Sequence, residues 1–352
     1  MIRTQVAGSW AALVAAILFG LSAPLAKGLV GMIDPWLLAG LLYLGSGLGL
    51  SLVWWWRQRH GQRREGRLRA HHLPWLLAAI ASGGVIAPVL LVVGLAHTDA
   101  ATGALLLNLE AVATALLAWL VVREHTSRRL MLGLLLIVAG GLVLAWPSAP
   151  VAGSSWWGPL LIAAACCCWG IDNTCTRPLS VADPVTIATI KGLVAGAVNT
   201  VIAFALGAAW PSWSATSGAL LVGFGGYGIS LVLFVVAMRH LGSGRTGAYF
   251  AIAPFVGAIG AFVGGAPLTW MIMAAGVLMG AGVWLHLSER HEHPHTHEPL
   301  EHDHRHRHDD AHHDHAHAPA HPTGDEHSHS HRHQPRSHSH PHLPDLHHRH
   351  GH

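Results

Sequence analysis

The chain has 352 residues, of which 51% are hydrophobic and only 11% are charged. Charged residues make up about a quarter of an ordinary soluble domain, so this composition excludes a soluble protein for most of the length. The net charge of +3 with neutral histidines gives no argument for a nucleic-acid partner.

Ten apolar segments follow one another from the N-terminus. A helix needs about 20 apolar residues to cross a bilayer, and each segment lies between boundaries of Pro, Gly or charge. The first segment is interpreted as an uncleaved span and not as a signal peptide, because further apolar segments follow directly. We therefore predict an all-α integral membrane protein with ten transmembrane helices, at 9–29, 35–56, 73–96, 100–122, 129–146, 156–176, 184–207, 217–238, 244–265 and 268–287.

The arginines of the connecting loops predict the orientation of these spans. Short cytoplasmic loops accumulate Lys and Arg, and with the N-terminus inside the cell every arginine-rich loop lies on the cytoplasmic side. The loop 57–69 carries six arginines, whereas the opposite loops 147–155 and 211–217 carry no charge. Both termini are therefore predicted to be cytoplasmic, in the inner membrane of a bacterial cell.

Short motifs recur about 145 residues apart and divide the spans into two halves. The recurring pairs are Phe19-Gly20 and Trp169-Gly170, Asp34-Pro35 and Asp183-Pro184, and Thr102-Gly103 and Thr246-Gly247. Five spans per half is an odd number, so the halves would enter the membrane from opposite faces, as in the inverted repeats of secondary transporters. The predicted domains are residues 1–147 and 148–288, two five-helix repeats, and residues 289–352, a tail.

This arrangement resembles the EamA-type transporters of the drug/metabolite transporter superfamily over residues 9–287. The resemblance implies alternating access and the transport of small metabolites, amino acids or drugs. Glu124 and Gly133 match the family pattern after the fourth span. The second half departs from it at about Leu268, and Glu110 stands where the family and the ninth span, with Pro254, have a proline.

Three ionisable residues lie well inside predicted spans. They are Glu110 in the fourth span, Asp172 in the sixth and Lys191 in the seventh. Intramembrane charges are costly and usually face a pathway, although a structural pair of Lys191 with either acid is the alternative. The predicted substrate pathway lies between the first, fourth, sixth and ninth spans and contains Glu110, Asp172, Trp169, Lys191, Gly20 and Gly170.

The four cysteines lie close together and do not form the spaced framework of a disulfide-bonded domain. Cys168, Asp172 and Cys175 are spaced to share one helical face, where two thiolates and a carboxylate could hold a transition metal. The alternative is that these cysteines pack as small residues between close helices.

The tail carries 24 histidines within residues 291–352, among ten acidic residues and few apolar ones. Such a composition cannot bury enough apolar surface to offset chain entropy, so the tail is predicted to be disordered. Imidazoles suit Ni, Co, Zn and Cu, and a pH-dependent attraction to anionic lipid is an alternative role. The predicted metal ligands are His291, His293, His295, His297, His302, His304, His306 and His308.

The favoured hypothesis is a secondary transporter that exports a small metabolite, amino acid or drug and requires no cofactor. The alternative is Ni, Co or Zn efflux fed by the tail, and a third possibility is metabolite flux gated by metal on the tail. No phosphate-binding loop or catalytic constellation recurs, so an enzyme is not expected. The expected partners are the lipid bilayer, a small-molecule substrate, a proton or cation for coupling, and a second copy of the chain.

Overall fold

The computed structural model describes residues 2–59, 68–117, 119–120, 128–146, 156–179, 182–241, 246 and 249–288, and in the tail 291–297, 301–306, 327–332 and 336–342. Contacts divide the chain into two compact units, Met1–Glu289 and Arg290–His352. Every element described in the first unit is a helix.

The described residues of the first half of the first unit form seven α-helices. They are α1 Ile2–Leu29, α2 Pro35–Arg59, α3 Leu73–Ala79, α4 Ala87–Ala96, α5 Ala100–Leu106, α6 Leu109–Leu117 and α7 Arg128–Ala145. A 3-10 turn, Ala70–His72, precedes α3, and a π-helical segment, Ile80–Ile86, joins α3 to α4.

The described residues of the second half form six α-helices. Its helices are α8 Trp157–Thr176, α9 Pro184–Ala205, α10 Trp213–Gly223, α11 Ser230–Leu241, α12 Ala253–Val263 and α13 Trp270–Leu287. A 3-10 turn, Arg177–Leu179, follows α8, and a second π-helical segment, Phe224–Ile229, joins α10 to α11.

The recurring Asp-Pro pairs begin the second helix of each half. The Asp34 carboxylate accepts hydrogen bonds from the backbone nitrogens of Trp36 and Leu37, at 2.9 and 3.2 Å. Asp183 is the N-cap of α9 and accepts from the backbone nitrogen of Thr186 at 3.2 Å. An acidic cap satisfies unpaired amides, and proline is preorganised for the first helical turn.

The prediction of membrane-spanning helices is confirmed for seven segments of the described chain. The helices Ala253–Val263 and Trp270–Leu285 are apolar but shorter. The helix α8 is 20 residues long but carries Asp172 and Asn173. The seven that are long and apolar enough are Gly8–Leu29, Pro35–Arg59, Ala70–Ala96, Ala100–Leu117, Arg128–Ala145, Pro184–Ala205 and Trp213–Ala237.

Two of the predicted spans are interrupted at sites that the sequence analysis treated as continuous helix. The π-helical segment in 73–96 coincides with Ser82-Gly83-Gly84, and the span 100–122 has turn residues at Leu107 and Asn108. Glycine pairs weaken the α-helical ladder and permit such irregular segments. The second π-helical segment likewise contains a glycine pair, Gly225-Gly226.

The helices α2 and α9, one from each half, cross at close range. A Cβ atom on Gly47 would lie 2.5 Å from the backbone nitrogen of Leu193, and one on Gly192 would lie 2.6 Å from the backbone nitrogen of Gly47. Membrane helices associate through such small-residue contacts because lipid supplies little hydrophobic driving force. The leucines of α2, including Leu37, Leu38, Leu41 and Leu42, are buried beside this crossing.

In other contacts between the halves, the first helix of each half packs on helices of the other half. The first helix of the chain, α1, packs on α11 and α12, and the first helix of the second half, α8, packs on α4 and α6. The last helices of the two halves, α7 and α13, pack along each other. Each half thus completes its core with elements of the other.

The described segments of the second unit form four strands. The strand β1 His291–His297 pairs antiparallel with β4 Arg336–His342, and β2 Glu301–His306 pairs with β3 His327–Arg332. In these segments histidine alternates with other residues at the two-residue period of a strand, and the disorder of the tail stays a prediction. Seven predicted metal ligands lie in β1 and β2, and His308 lies outside the described residues.

Candidate functional site

The predicted pathway residues Asp172 and Lys191 form an ion pair between α8 and α9. The Lys191 ammonium group donates to one oxygen of Asp172, and the Thr176 hydroxyl donates to the other at 3.0 Å. The side chains of Lys191 and Asp172 are only 17% and 6% exposed. Their charges therefore cancel in a mostly buried setting, which is the structural pairing considered as the alternative.

The ion pair lies against the first π-helical segment. A Cβ atom on Gly83 would overlap the Asp172 carboxylate, so the close approach of α8 to this segment requires glycine. The Gly83 carbonyl accepts hydrogen bonds from the Tyr43 hydroxyl at 2.5 Å and from the Trp169 ring nitrogen at 3.1 Å. A π-helical turn alters the i to i−4 ladder and is frequent at functional sites.

A third helix also holds this segment. The buried Asn199 side chain of α9 donates to the Gly84 carbonyl at 3.1 Å. Side chains from α2, α8 and α9 thereby converge on two adjacent carbonyl groups. The predicted pathway residue Trp169 contributes to this convergence and is 7% exposed.

Glu110 lies in the first turn of α6, immediately after the interruption of the fourth span. One of its carboxylate oxygens accepts a hydrogen bond from the Asn173 side-chain amide at 3.0 Å, and the same amide donates to the Thr114 hydroxyl at 3.1 Å. Glu110 makes no ion pair with any described residue. It therefore differs from Asp172, whose charge is matched.

The predicted pathway residues Gly20 and Gly170 lie at equivalent helix crossings. A Cβ atom on Gly170 would lie 3.0 Å from the Cβ of Ala113 in α6, and one on Gly20 would overlap the carbonyl oxygen of Ala253 in α12. Both glycines thus permit the first helix of one half to approach the fourth span of the other half. The Gly170 crossing also brings Asn173 next to Glu110.

A chain of aromatic rings near these groups was missed by the sequence analysis. The Phe19 ring centroid lies 6.1 Å from Tyr227 and 5.2 Å from Phe250, and Tyr43 lies 5.5 Å from Tyr227. Phe234 extends the chain at 4.8 Å from Phe250. Of these residues, only Phe19 carried a sequence signal, through its place in the aromatic-glycine pair.

The cysteines of α8 do not assemble a metal site in the part of the chain that the structure describes. No group of three or more His, Cys, Asp or Glu side chains there could hold a metal ion. Cys175 is buried and Cys168 half-buried, whereas Asp172, the carboxylate of the predicted metal face, binds Lys191. Cys166 donates instead to the Leu106 carbonyl at 3.7 Å.

One protein of known sequence and one of known structure are similar to this chain. An uncharacterized transporter of Methanothermobacter thermautotrophicus is 29% identical over 289 residues, which are 77% of this chain and 83% of that protein. A protein of known crystal structure shares the fold with a TM-score of 0.58 at 20% identity, over 78% of this chain and 94% of that one.

The two halves each match one family. Residues 6–146 and 156–288 both match the EamA-like transporter family, so two copies of its domain make up most of the chain. The match agrees with the apolar helices and indicates a multi-pass protein of the lipid bilayer with a small-molecule substrate. This chain therefore belongs to the EamA-like transporter family of membrane proteins.

Proposed function

We propose that this protein is a secondary transporter that exports a small metabolite, amino acid or drug across a bacterial inner membrane. The observation that carries the proposal is the Glu110 carboxylate, which has an amide partner but no cationic partner among the described residues. Ionisable groups within membrane helices usually face a substrate or ion pathway, because isolated charges are costly there. A ligand that reaches Glu110 would supply the missing partner.

We infer alternating access between two inverted halves of five spans, ten in total. The support is the pair of family domains and the reciprocal packing of α1 and α8 on the opposite halves. Irregular segments in equivalent third spans supply places where helices could bend. In transporters with inverted repeats, the substrate site lies at the repeat interface, which is where α6 meets α8.

The proposed orientation has both termini in the cytoplasm. Its support is the arginine-rich loop 57–69 together with Arg128 and Arg129, which follow the fourth span. Cytoplasmic loops carry such an excess of positive charge. Cysteine labelling from each side of the membrane at residues 63 and 153 tests it, and labelling of residue 63 from outside would overturn it.

The roles we assign within the pathway differ between the two acids. Glu110 would contact the substrate or the coupling proton or cation. Asp172 and Lys191 would hold α8 and α9 against the first π-helical segment, with Trp169 as a further tie. Gly20 and Gly170 would set the helix separation around the pathway.

Solute flux in proteoliposomes tests the proposed function. A panel of amino acids, amines, drugs and divalent metals would be offered to the full chain, to Glu110→Gln and to the matched control Asp99→Asn. Asp99 caps α5, so its variant removes a carboxylate outside the site. We expect organic-solute flux in the wild type and control and its loss in Glu110→Gln. Absence of organic-solute flux in the wild type, or full flux in Glu110→Gln, would refute the proposal.

We also propose that the tail binds a divalent transition metal such as Ni, Co, Zn or Cu. The support is its 24 histidines, since imidazole is a good ligand for these ions. Deleting residues 289–352 should abolish high-capacity metal binding while leaving organic-solute flux intact. Movement of metal through the full chain, lost on the deletion, would favour the alternative of metal efflux.

A further inference from the structure

The charges around Glu110 leave the site with one unmatched negative charge. Asp172 and Lys191 neutralise each other, and Asn173 gives Glu110 a hydrogen bond without a positive charge. Among the described residues, the titratable groups that interact electrostatically with Glu110 are Cys166, Asp172, Lys191, Tyr43 and Tyr227. Lys191 is the one base in this set, and it is already paired.

An ionised carboxylate in a low-dielectric setting is costly, so Glu110 either takes up a proton or binds a positively charged group, and a cationic ligand would replace the proton. Glu110 is partly buried and not sealed, so a ligand atom has access to the carboxylate. A neutral or anionic ligand would leave the carboxylate unmatched or repelled. A ligand with a single positive charge would neutralise the whole site.

The chain of aromatic rings provides the apolar part of a recognition site. Tyr43 and Trp169 both donate to the carbonyl of Gly83, which lies against Asp172. The Tyr43 ring lies 5.5 Å from that of Tyr227, which lies 6.1 Å from that of Phe19. Phe19, Tyr227 and Phe250 are only partly buried, so part of each ring is accessible. The negative face of an aromatic ring attracts a cation, and its surface packs against an apolar body.

We propose that the substrate of this transporter is an organic monocation with an aromatic or apolar body. Its cationic nitrogen binds the Glu110 carboxylate, and its body packs against Phe19, Tyr227 and Phe250. This inference rests on the proposed function and narrows its substrate class. The ion-paired Asp172 is not the cation ligand, because Lys191 and Thr176 already occupy its oxygens.

Binding to the purified full chain in detergent tests the substrate class separately from flux. The probes are benzyltrimethylammonium, tetraethylammonium as a cation without a ring, phenylalanine as an aromatic zwitterion, and benzoate as an aromatic anion. We expect benzyltrimethylammonium to bind most tightly. Glu110→Gln should weaken its binding about 30-fold or more, since truncating one partner of a buried charge pair is severe.

Four further variants keep the test decisive. If Glu110→Gln does not fold, Glu110→Asp replaces it in the test. Glu110→Asp keeps the charge and should bind benzyltrimethylammonium with part of the wild-type affinity. Phe19→Leu should weaken benzyltrimethylammonium binding about two- to fivefold through the lost contact between aromatic rings, whereas Phe19→Tyr should not. Asp99→Asn serves as the matched charge control.

The outcomes separate this inference from the proposed function. Tight binding of phenylalanine or benzoate with weak binding of benzyltrimethylammonium would overturn it, as would unchanged cation binding in Glu110→Gln. Flux of zwitterions alone would agree with the proposed transporter function but would refute a cationic substrate. Glu110-dependent cation binding without flux of any solute would support the site and refute transport.

Discussion

Two equivalent helix crossings each depend on a glycine in a π-helical segment, but the side chain that faces this glycine differs between them. In the first, Gly83 of one π-helical segment receives Asp172 of α8, and in the second, Gly226 of the other segment receives Ser22 of α1. At both positions an added Cβ atom would overlap the facing side chain. The close approach is therefore a property of the repeated fold, whereas the charge belongs to one half.

The position of Lys191, the partner of Asp172, also differs between the two halves. Lys191 is the eighth residue of α9, and the eighth residue of α2 is the fully buried Leu42. The second half thus carries an ion pair where the first half has Ser22 and Leu42. The difference shows that the two halves can share a packing scheme while only the second half has an ion pair at this crossing.

The largest effect is expected from breaking the ion pair. Lys191→Leu leaves the Asp172 carboxylate buried and unmatched, which should lower the free energy of unfolding by about 3–5 kcal/mol. Asp172→Ser with Lys191→Leu reproduces the other crossing and should recover most of that loss, since an apolar replacement of both partners is often neutral. Equilibrium unfolding in detergent measures both. Equal losses in the single and double variants would contradict the pairing.

A Cβ atom at either crossing should have the next largest effect. Gly83→Ala and Gly226→Ala should each lower the free energy of unfolding by about 1–3 kcal/mol through overpacking. Gly276→Ala is the control, because nothing lies within 4 Å of its added Cβ, and it should be neutral or stabilising by about 0.5–1 kcal/mol. If Gly83→Ala behaved like Gly276→Ala, the close approach of α8 would be refuted.

Removing one hydrogen bond to the π-helical segment should have a smaller effect. Tyr43→Phe takes one of two donors from the Gly83 carbonyl and leaves Trp169 in place. The expected loss is about 0.5–1.5 kcal/mol, the net value of a hydrogen bond whose acceptor keeps another donor. Tyr249→Phe is the control, because the Tyr249 hydroxyl makes no hydrogen bond with any described residue. A loss for Tyr43→Phe no greater than that of the control would show that Trp169 alone holds the carbonyl.

The smallest effect is expected at the rim of the bundle. The Arg57 guanidinium lies 3.6 Å from Asp183, with side chains 28% and 10% exposed. Arg57→Gln should lower the free energy of unfolding by at most about 1 kcal/mol, and high salt should reduce the difference. A salt-independent loss as large as that of Lys191→Leu would mean that the rim pair is as well desolvated as the interior one.

Local signals in the sequence predicted where helices begin. Asp34-Pro35 and Asp183-Pro184 combine an acidic cap with a proline, and both begin helices. The interruption at Leu107 and Asn108 and the π-helical segments escaped prediction, because apolar composition is the same in α- and π-helical turns. The position of Glu110 at a helix start therefore required the structure.

The sequence singled out the charged members of the site, together with Trp169, Gly20 and Gly170. Glu110, Asp172 and Lys191 stand out because charge is rare in apolar spans. The convergence of Tyr43, Trp169 and Asn199 on adjacent carbonyls is a tertiary arrangement without local spacing. The aromatic chain joins residues as far apart as Phe19 and Phe250, so no sequence window contains it.

One comparison of fluxes tests most directly whether Glu110 binds the substrate and Asp172 has a structural role. Proteoliposomes would contain the wild type, Glu110→Gln, or Asp172→Ser with Lys191→Leu, and the uptake of benzyltrimethylammonium would be followed. We predict that uptake is lost in Glu110→Gln and largely retained in the double variant. Retained uptake in Glu110→Gln with loss in the folded double variant would contradict that division and make Asp172 the binding acid.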